Sequence, residues 1–247
     1  MDTSKKGIST ATKTAAVVAV IFIVLAAVYF VPSMSTGSVS QSSSTQTGAA
    51  SSGTGIQNPG LLQLFGYFSQ MDMQLNVFNN NNANGNGMAS QQSASYLVLG
   101  KGSWNSTQYT KVEFSTPGIG NNVIAWFNSN GGIDRVDVLG QRNYTGSGAY
   151  FVASNYVTAF TLIPTITNNA TLLSILSKTG DNTTSIGPTQ VGLTTYSLAV
   201  PTAPYTSLTV RFATIPGTSE RIAVYLHEKT NDGTDTTIQV SSVTKSQ

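Results

Sequence analysis

The chain predicts an α+β domain built mainly on antiparallel strands, set behind one membrane-spanning helix. Three observations point there. Ala15 to Val31 is a 17-residue apolar run without a charge. The segments after about Ala94 alternate apolar and polar residues at strand period. Two stretches at helical spacing, one leading and one in the middle, interrupt or precede the strands, which is the α+β order.

The apolar run comes first. As a helix it covers about 26 Å, close to a hydrocarbon core of about 30 Å. Lys5, Lys6 and Lys13 precede it, and no charged residue occurs from Pro32 through Met71. Positive charge on one side predicts a cytoplasmic leader over 1–14 and an exported remainder at the cell membrane, with the helix over 15–31 as a single-pass anchor. Pro32 ends the helix. A secretory signal cleaved near Ser33 and Ser35 is the competing reading; the length of the run favours retention. Lys6-Gly7-Ile8-Ser9 resembles the cleavage site of class III, prepilin-type signal peptides of archaeal surface proteins, although the apolar stretch starts only at Ala15. Cleavage there would leave the helix in place.

Composition narrows the function classes. Charged residues make up only 9% of the 247 residues, while hydrophobic residues make up 40%. Beyond the leader nine basic side chains balance nine acidic ones. That argues against a nucleic-acid partner, which needs clustered cations. There is no cysteine, so disulfides and thiolate chemistry are excluded. The wealth of Ser, Thr, Asn and Gln resembles that of surface proteins of archaea from hot, acid habitats, where a surface without carboxylates does not titrate.

Residues 32–59 are rich in Ser, Thr and Gly and read as a stalk; residues 60–247 form the domain. Leu61, Leu62, Leu64, Phe65 and Phe68 form one apolar stripe and predict a helix over Gly60 to Met71. Gln74 to Phe78 reads as a strand, and Asn79 to Asn86 as a loop joining two strands. Strands follow at Tyr96 to Leu99, Tyr109 to Phe114, Val123 to Phe127 and Ile133 to Leu139. Strand alternation puts Asp134 and Asp137 on opposite faces, so they form no acid–base pair. Gly148 to Pro164 mixes aromatic and β-branched residues and is left unassigned between helix and strand. Asn169 to Lys178 reads as a helix capped by Asn168 or Asn169 and ended by Gly180. Strands close the chain at Gln190 to Val200, Ser207 to Ala213, Arg221 to His227 and Thr236 to Val243, the last two joined at Asn231-Asp232-Gly233.

Sites for chemistry are few. Four sequons, headed by Asn105, Asn143, Asn169 and Asn182, are glycosylation candidates in an exported chain. His227 is the lone histidine and reads as a solvated strand-end residue. No nucleophile elbow, zinc motif or phosphate loop occurs, so no catalytic residue, cofactor or metal is expected, and the chain reads as a non-enzyme.

The leading helix Leu61 to Phe68 and the strand Val123-Ile124-Ala125-Trp126-Phe127 are followed by the run Gln190 to Tyr196 and the final long strands. In that order they resemble the LolA/LppX family of lipoprotein and lipid carriers. The resemblance implies a curved antiparallel sheet, a half-open barrel with helices in its concave side, enclosing a cavity for a lipid or other apolar ligand. Leu64, Phe65, Phe68, Trp126 and Phe151 are the cavity candidates it implies. The chain then reads as a membrane-anchored cell-surface binding protein. The alternative is a pilin-like or surface-layer-associated structural protein whose Ala15–Val31 helix packs against surface-protein partners. An anchored hydrolase is a third reading.

Overall fold

The structure is a computed structural model that describes residues 57–79, 88–118, 120–202 and 204–246. The leader, the Ala15–Val31 anchor, the class III site, nearly all of the stalk and the Asn-rich connection after Asn79 lie outside the described residues.

Asn58 opens the first helix, α1 (Pro59–Tyr67). Its side-chain oxygen accepts from the Leu61 N–H, and Pro59 takes a first-turn position where a missing N–H costs nothing. The helix ends at Tyr67, short of the expected Met71. Phe68 turns extended, and the Tyr96 hydroxyl donates to its carbonyl at 3.1 Å. Its side chain stays buried, so the apolar stripe continues while the backbone switches from helix to strand.

Eleven strands form one antiparallel sheet: β1 (Phe68–Asn79), β2 (Met88–Trp104), β3 (Thr107–Ser115), β4 (Val123–Phe127), β5 (Ile133–Val138), β6 (Asn143–Thr145), β7 (Leu176–Ile186), β8 (Thr189–Leu198), β9 (Tyr205–Thr214), β10 (Arg221–Thr230) and β11 (Thr234–Lys245). Their order is β6-β5-β4-β3-β2-β1-β11-β10-β9-β8-β7. The expected half-open barrel thus takes the form of an open sheet with β6 and β7 as its edges. The first and last strands are neighbours at its centre, paired from Phe68↔Lys245 to Asn79↔Thr234 with slips at Phe68/Gln70 and Asp72/Met73. The far hairpin curls back: Thr189 Oγ1 donates to the Val243 carbonyl at 2.8 Å.

Met71, Met73, Leu75 and Val77 on β1 face inward with Ala94 and Tyr96 on β2 and Ile238 and Val240 on β11. That period of two is the pattern of a sheet buried on one face. Two helices lie against it. The stretch Gly148 to Pro164 is part of α2 (Ser147–Thr167), 21 residues without a charge. Ala149, Ala153, Tyr156, Val157, Phe160, Ile163 and Ile166 are buried at helical spacing, so tertiary burial overrides the strand preference of its aromatic and β-branched residues. By length and composition α2 could cross a membrane, yet it is packed in this fold. Its threonine hydroxyls bond back to its own carbonyls, as Thr165 Oγ1 does to Thr161 and Thr167 Oγ1 to Ile163, both at 2.7 Å. Thr167 Oγ1 also accepts from the Ala223 N–H at 2.9 Å, tying the helix end to β10.

The helix expected over Asn169 to Lys178 shrinks to α3 (Ala170–Ser174). Asn169 caps it, accepting from the Leu172 N–H at 2.9 Å. Pairing with β8 takes the rest of that stretch into β7, where Gly180 lies at a register slip instead of a helix end. Asn231 to Gly233 connects β10 to β11, with Gly233 at φ 84°.

α1 and α2 cross where Gly60 meets Pro164. A Cβ on Gly60 would stand 2.7 Å from Pro164 Cβ, in a ring that cannot rotate away. Gly60→Ala is expected to cost about 1–3 kcal/mol by overpacking. A thermal melt should show it as a Tm drop of about 2–4 °C per kcal/mol; an unchanged Tm would mean that the helices slide apart freely.

Candidate functional site

The helix-bearing face holds an aromatic centre. Phe65 of α1 stands edge-on to Tyr96 at 5.0 Å and to Phe127 at 5.1 Å, with Phe114 at 6.2 Å. Phe160 of α2 closes it from the other side, 5.1 Å from Tyr96 and 5.7 Å from Phe114. Such edge-to-face pairs add to plain burial. Burial also drives the Tyr96 hydroxyl far above its ordinary range.

Three openings border this centre. One cleft of about 50 Å³ lies between α1, α2 and the start of β10, lined by Gly60, Leu64, Ile163 and Ile222. A second of about 50 Å³ lies under α2 beside Leu61, Phe127 and Val157. Each is below the size of a ligand pocket, commonly about 300–1,000 Å³. The third is a groove of about 470 Å³, lined by Leu62, Lys101, Gln108, Thr110, Phe127, Asn128 and Ser129.

Register explains the groove. β2 has 17 residues and β4 only five, so the β2–β3 hairpin overhangs the sheet. The last β3–β4 pair is Thr110↔Phe127, and Thr110 in turn pairs with Lys101. Lys101 and Thr110 therefore continue the inner face beyond the helices, and Lys101 Nζ donates to Thr110 Oγ1 at 2.8 Å. Phe127 is the floor, and it also lines the second cleft. Lys101 is the one charged group in the lining.

The sequence-derived cavity residues do not share one space. Leu64, Phe65 and Phe68 are buried on the inner side. Phe151, on α2, is 58% exposed. Trp126 belongs to the opposite face, since it pairs with Lys111 and Arg135 while its neighbours Ala125 and Phe127 point inward. There its Nε1 donates to Asp137 at 2.8 Å, and Arg135 lies 4.7 Å from its ring centre. Tyr109 and Trp104 extend this outer cluster, with ring centres 6.0 Å apart. A Cβ on Gly102 would approach the Trp126 ring to 3.2 Å, so glycine is what lets the indole lie down.

The same cluster corrects the placement of Asp134 and Asp137. A register slip between Trp126 and Phe127 leaves both Ile133 and Val136 inward and both carboxylates on the outer side. Asp137 is bonded by Arg135 at 2.7 Å and Asp134 by Asn128, so the two are engaged separately. Burial first, then Asp134, raises the Tyr109 hydroxyl. His227 is half-buried and paired with Asp235 at 2.9 Å. Among the described residues no group of three or more His, Asp or Glu gathers to hold a metal.

Of the sequon residues, Asn105 sits at the β2–β3 turn, Asn143 in edge strand β6, Asn169 at the α3 cap and Asn182 in edge strand β7. One carboxylate that reads from the sequence as ordinary surface charge is buried instead. Glu228 is 4% exposed on the inner face, opposite Thr236 and Leu208. Burial pushes its carboxyl up to about 7, and Asp232 adds to the shift. The Thr236 hydroxyl lies near enough to ease the charge but makes no hydrogen bond of good geometry. Only the inward parity of Glu228 with Leu226 hinted at this.

No family model matches the chain, and no curated protein is significantly similar to it. Among solved structures it is similar to MucB in complex with MucA(peri), at 8% identity and TM-score 0.35, over 76% of this chain and 55% of that one. The match thus spans little more than half of the MucB chain. A domain assigned to an outer membrane lipoprotein-sorting protein from Vibrio parahaemolyticus is similar at 10% identity and TM-score 0.22, over 72% of this chain and 86% of that one. A DUF1329 family protein from Desulfovibrio piger is similar at 8% identity and TM-score 0.25, over 76% and 90%.

Two outcomes test the interior. Phe65→Ala should cost about 3–5 kcal/mol in denaturant unfolding, because the three rings of Tyr96, Phe114 and Phe127 would face the void. Glu228 keeps its proton longer when folded than when unfolded. Its contribution therefore favours the folded state at low pH and is lost as pH rises from about 4.5 to about 7. Glu228→Gln should flatten stability against pH across that window and gain roughly 3 kcal/mol at pH 8; parallel curves for both proteins would refute the burial.

Proposed function

We propose that the chain is a membrane-anchored, surface-displayed binding protein for an amphipathic ligand, with an apolar chain and an anionic head. The groove between α1, the β2–β3 overhang and the β4–β5 turn carries this reading. It is of ligand size, its base is Phe127 with Leu62 above, and its single charge is the Lys101 cation. Phe127 separates the groove from the cleft under α2, so a rotation of that one ring would open the way inward. An acyl chain lying on Leu62 and Phe127 places a carboxylate or phosphate at Lys101. The Ala15–Val31 anchor and the stalk suit capture of such ligands beside a membrane.

A structural role is the second reading, and the packed aromatic centre favours it. With clefts of about 50 Å³ on the helix side, ligand-free stability is adequate for a pilin-like or surface-layer-associated protein. In that case the full chain self-associates through Ala15–Val31.

Titration of a fluorescent fatty acid onto the full chain in nonionic detergent separates the two. Saturable binding is expected, weakened roughly tenfold by Lys101→Glu, equivalent to about 1.4 kcal/mol. Leu62→Trp should abolish it by filling the groove. Binding that neither substitution alters, or none at all, would sink the carrier reading.

A further inference from the structure

The β2–β3 connection is Trp104-Asn105-Ser106-Thr107. Asn105 at φ 48° and Ser106 at φ 62° are the two non-glycine residues with positive φ among the described residues. Two consecutive residues of that kind make a type I′ turn, whose twist matches the strands it joins. Asn is well suited to the first position. The turn makes Trp104 and Thr107 direct cross-strand partners, so their side chains share the outer face. Asn105 projects from the exposed tip between them.

These four residues are also a sequon with an aromatic residue before it. The Asn that would carry a sugar, the hydroxyl residue that licenses it and a tryptophan converge at one hairpin end. The indole is already held from below, with Tyr109 at 6.0 Å and the Arg135 guanidinium at 5.8 Å. Its remaining flank is half-exposed. A pyranose bonded to Asn105 Nδ2 would lie over the Trp104–Thr107 pair. Its C–H face would meet the indole and the Thr107 methyl while its hydroxyls stay in water. An amphipathic ring with one apolar face suits such a partner.

The other sequons lack this arrangement. With its amide turned to donate to Asp137 and accept from Arg135, both at 3.1 Å, Asn143 is already engaged. Asn169 caps α3. Asn182 lies opposite Leu193, with no aromatic ring across from it.

We infer that Asn105 is an N-glycosylation site whose first sugar stacks on Trp104, so that the glycan fastens the β2–β3 hairpin. The donor is a polyisoprenoid-phosphate-linked oligosaccharide supplied by the host. Asn105 Nδ2 forms a bond to sugar C1, the C1–oxygen bond to phosphate breaks, and the amide proton leaves with the phosphate. The inference rests on the exported reading of the chain, and the test keeps the two apart.

The full chain is purified from its own host and its four sequon peptides are weighed, while intact cells are probed with an added protease. Asn105 is expected to carry sugar at the highest occupancy of the four. A protease-accessible chain with Asn105 bare overturns the site and leaves export standing. A protected, bare chain overturns export and the site with it. Coupling to Trp104 is read from melting. Asn105→Gln should lower Tm by about 2–4 °C. The same change in a Trp104→Leu background should shift it by less than half as much, and Trp104→Phe, which keeps a ring, should restore most of the coupling. Equal shifts in all three backgrounds overturn the stacking.

Discussion

Everything in this molecule depends on covering one face of a wide open sheet without the help of charge or disulfides. Eleven strands expose an apolar inner surface, and two crossing helices meet it. α2 supplies most of the cover. It is long, uncharged and secured at its end by the Thr167–Ala223 bond. Its four threonine hydroxyls return to its own backbone and its Tyr156 hydroxyl donates to the Asn121 carbonyl, so it can lie on an apolar surface without stranding a charge.

The sheet then has two unlike faces. Inside, rings from α1, α2 and the three strands β2, β3 and β4 interlock around Phe65 and Tyr96. Outside, Trp104, Tyr109 and Trp126 are bracketed by Lys111, Arg135 and Asp137, a small polar-edged cluster with its own ion pair. The groove at Lys101 lies where the inner face runs past the helices. The groove and the packed centre are thus neighbouring parts of one surface, with Phe127 shared between the groove and the cleft under α2.

Much of this was legible in the residues. The Leu61–Phe65 stripe, the Val123–Phe127 strand, the Asn169 cap and the Asn231–Gly233 turn each follow from local chemistry. What escaped reading has two physical causes. The first is tertiary override: Tyr150, Val152, Tyr156, Val157 and Thr158 prefer strands, and only the sheet beneath makes them helical. The second is register. Slips at Val98/Gly100, Trp126/Phe127 and Ala223/Tyr225 each change which parity faces inward. The slip opposite Trp126 is why Asp134 joins Asp137 on the outer face; Trp126 itself, a cavity candidate by resemblance, lies outside by plain alternation with Ala125 and Phe127. The groove depends on unequal strand lengths, and no local pattern signals that.

The pairing of β1 with β11 has a temporal consequence. These two strands are the sheet's middle, yet they stand at opposite ends of the domain's chain. A polypeptide emerging N-terminus first can build β1 to β6 and dock α2, but the seam down the centre stays open until the 12 residues of β11 arrive. Such long-range closure is slow and leaves a strand edge exposed meanwhile. The nascent domain is therefore an unfinished template until β11 is made, and completion comes as a late zipping of β11 onto β1.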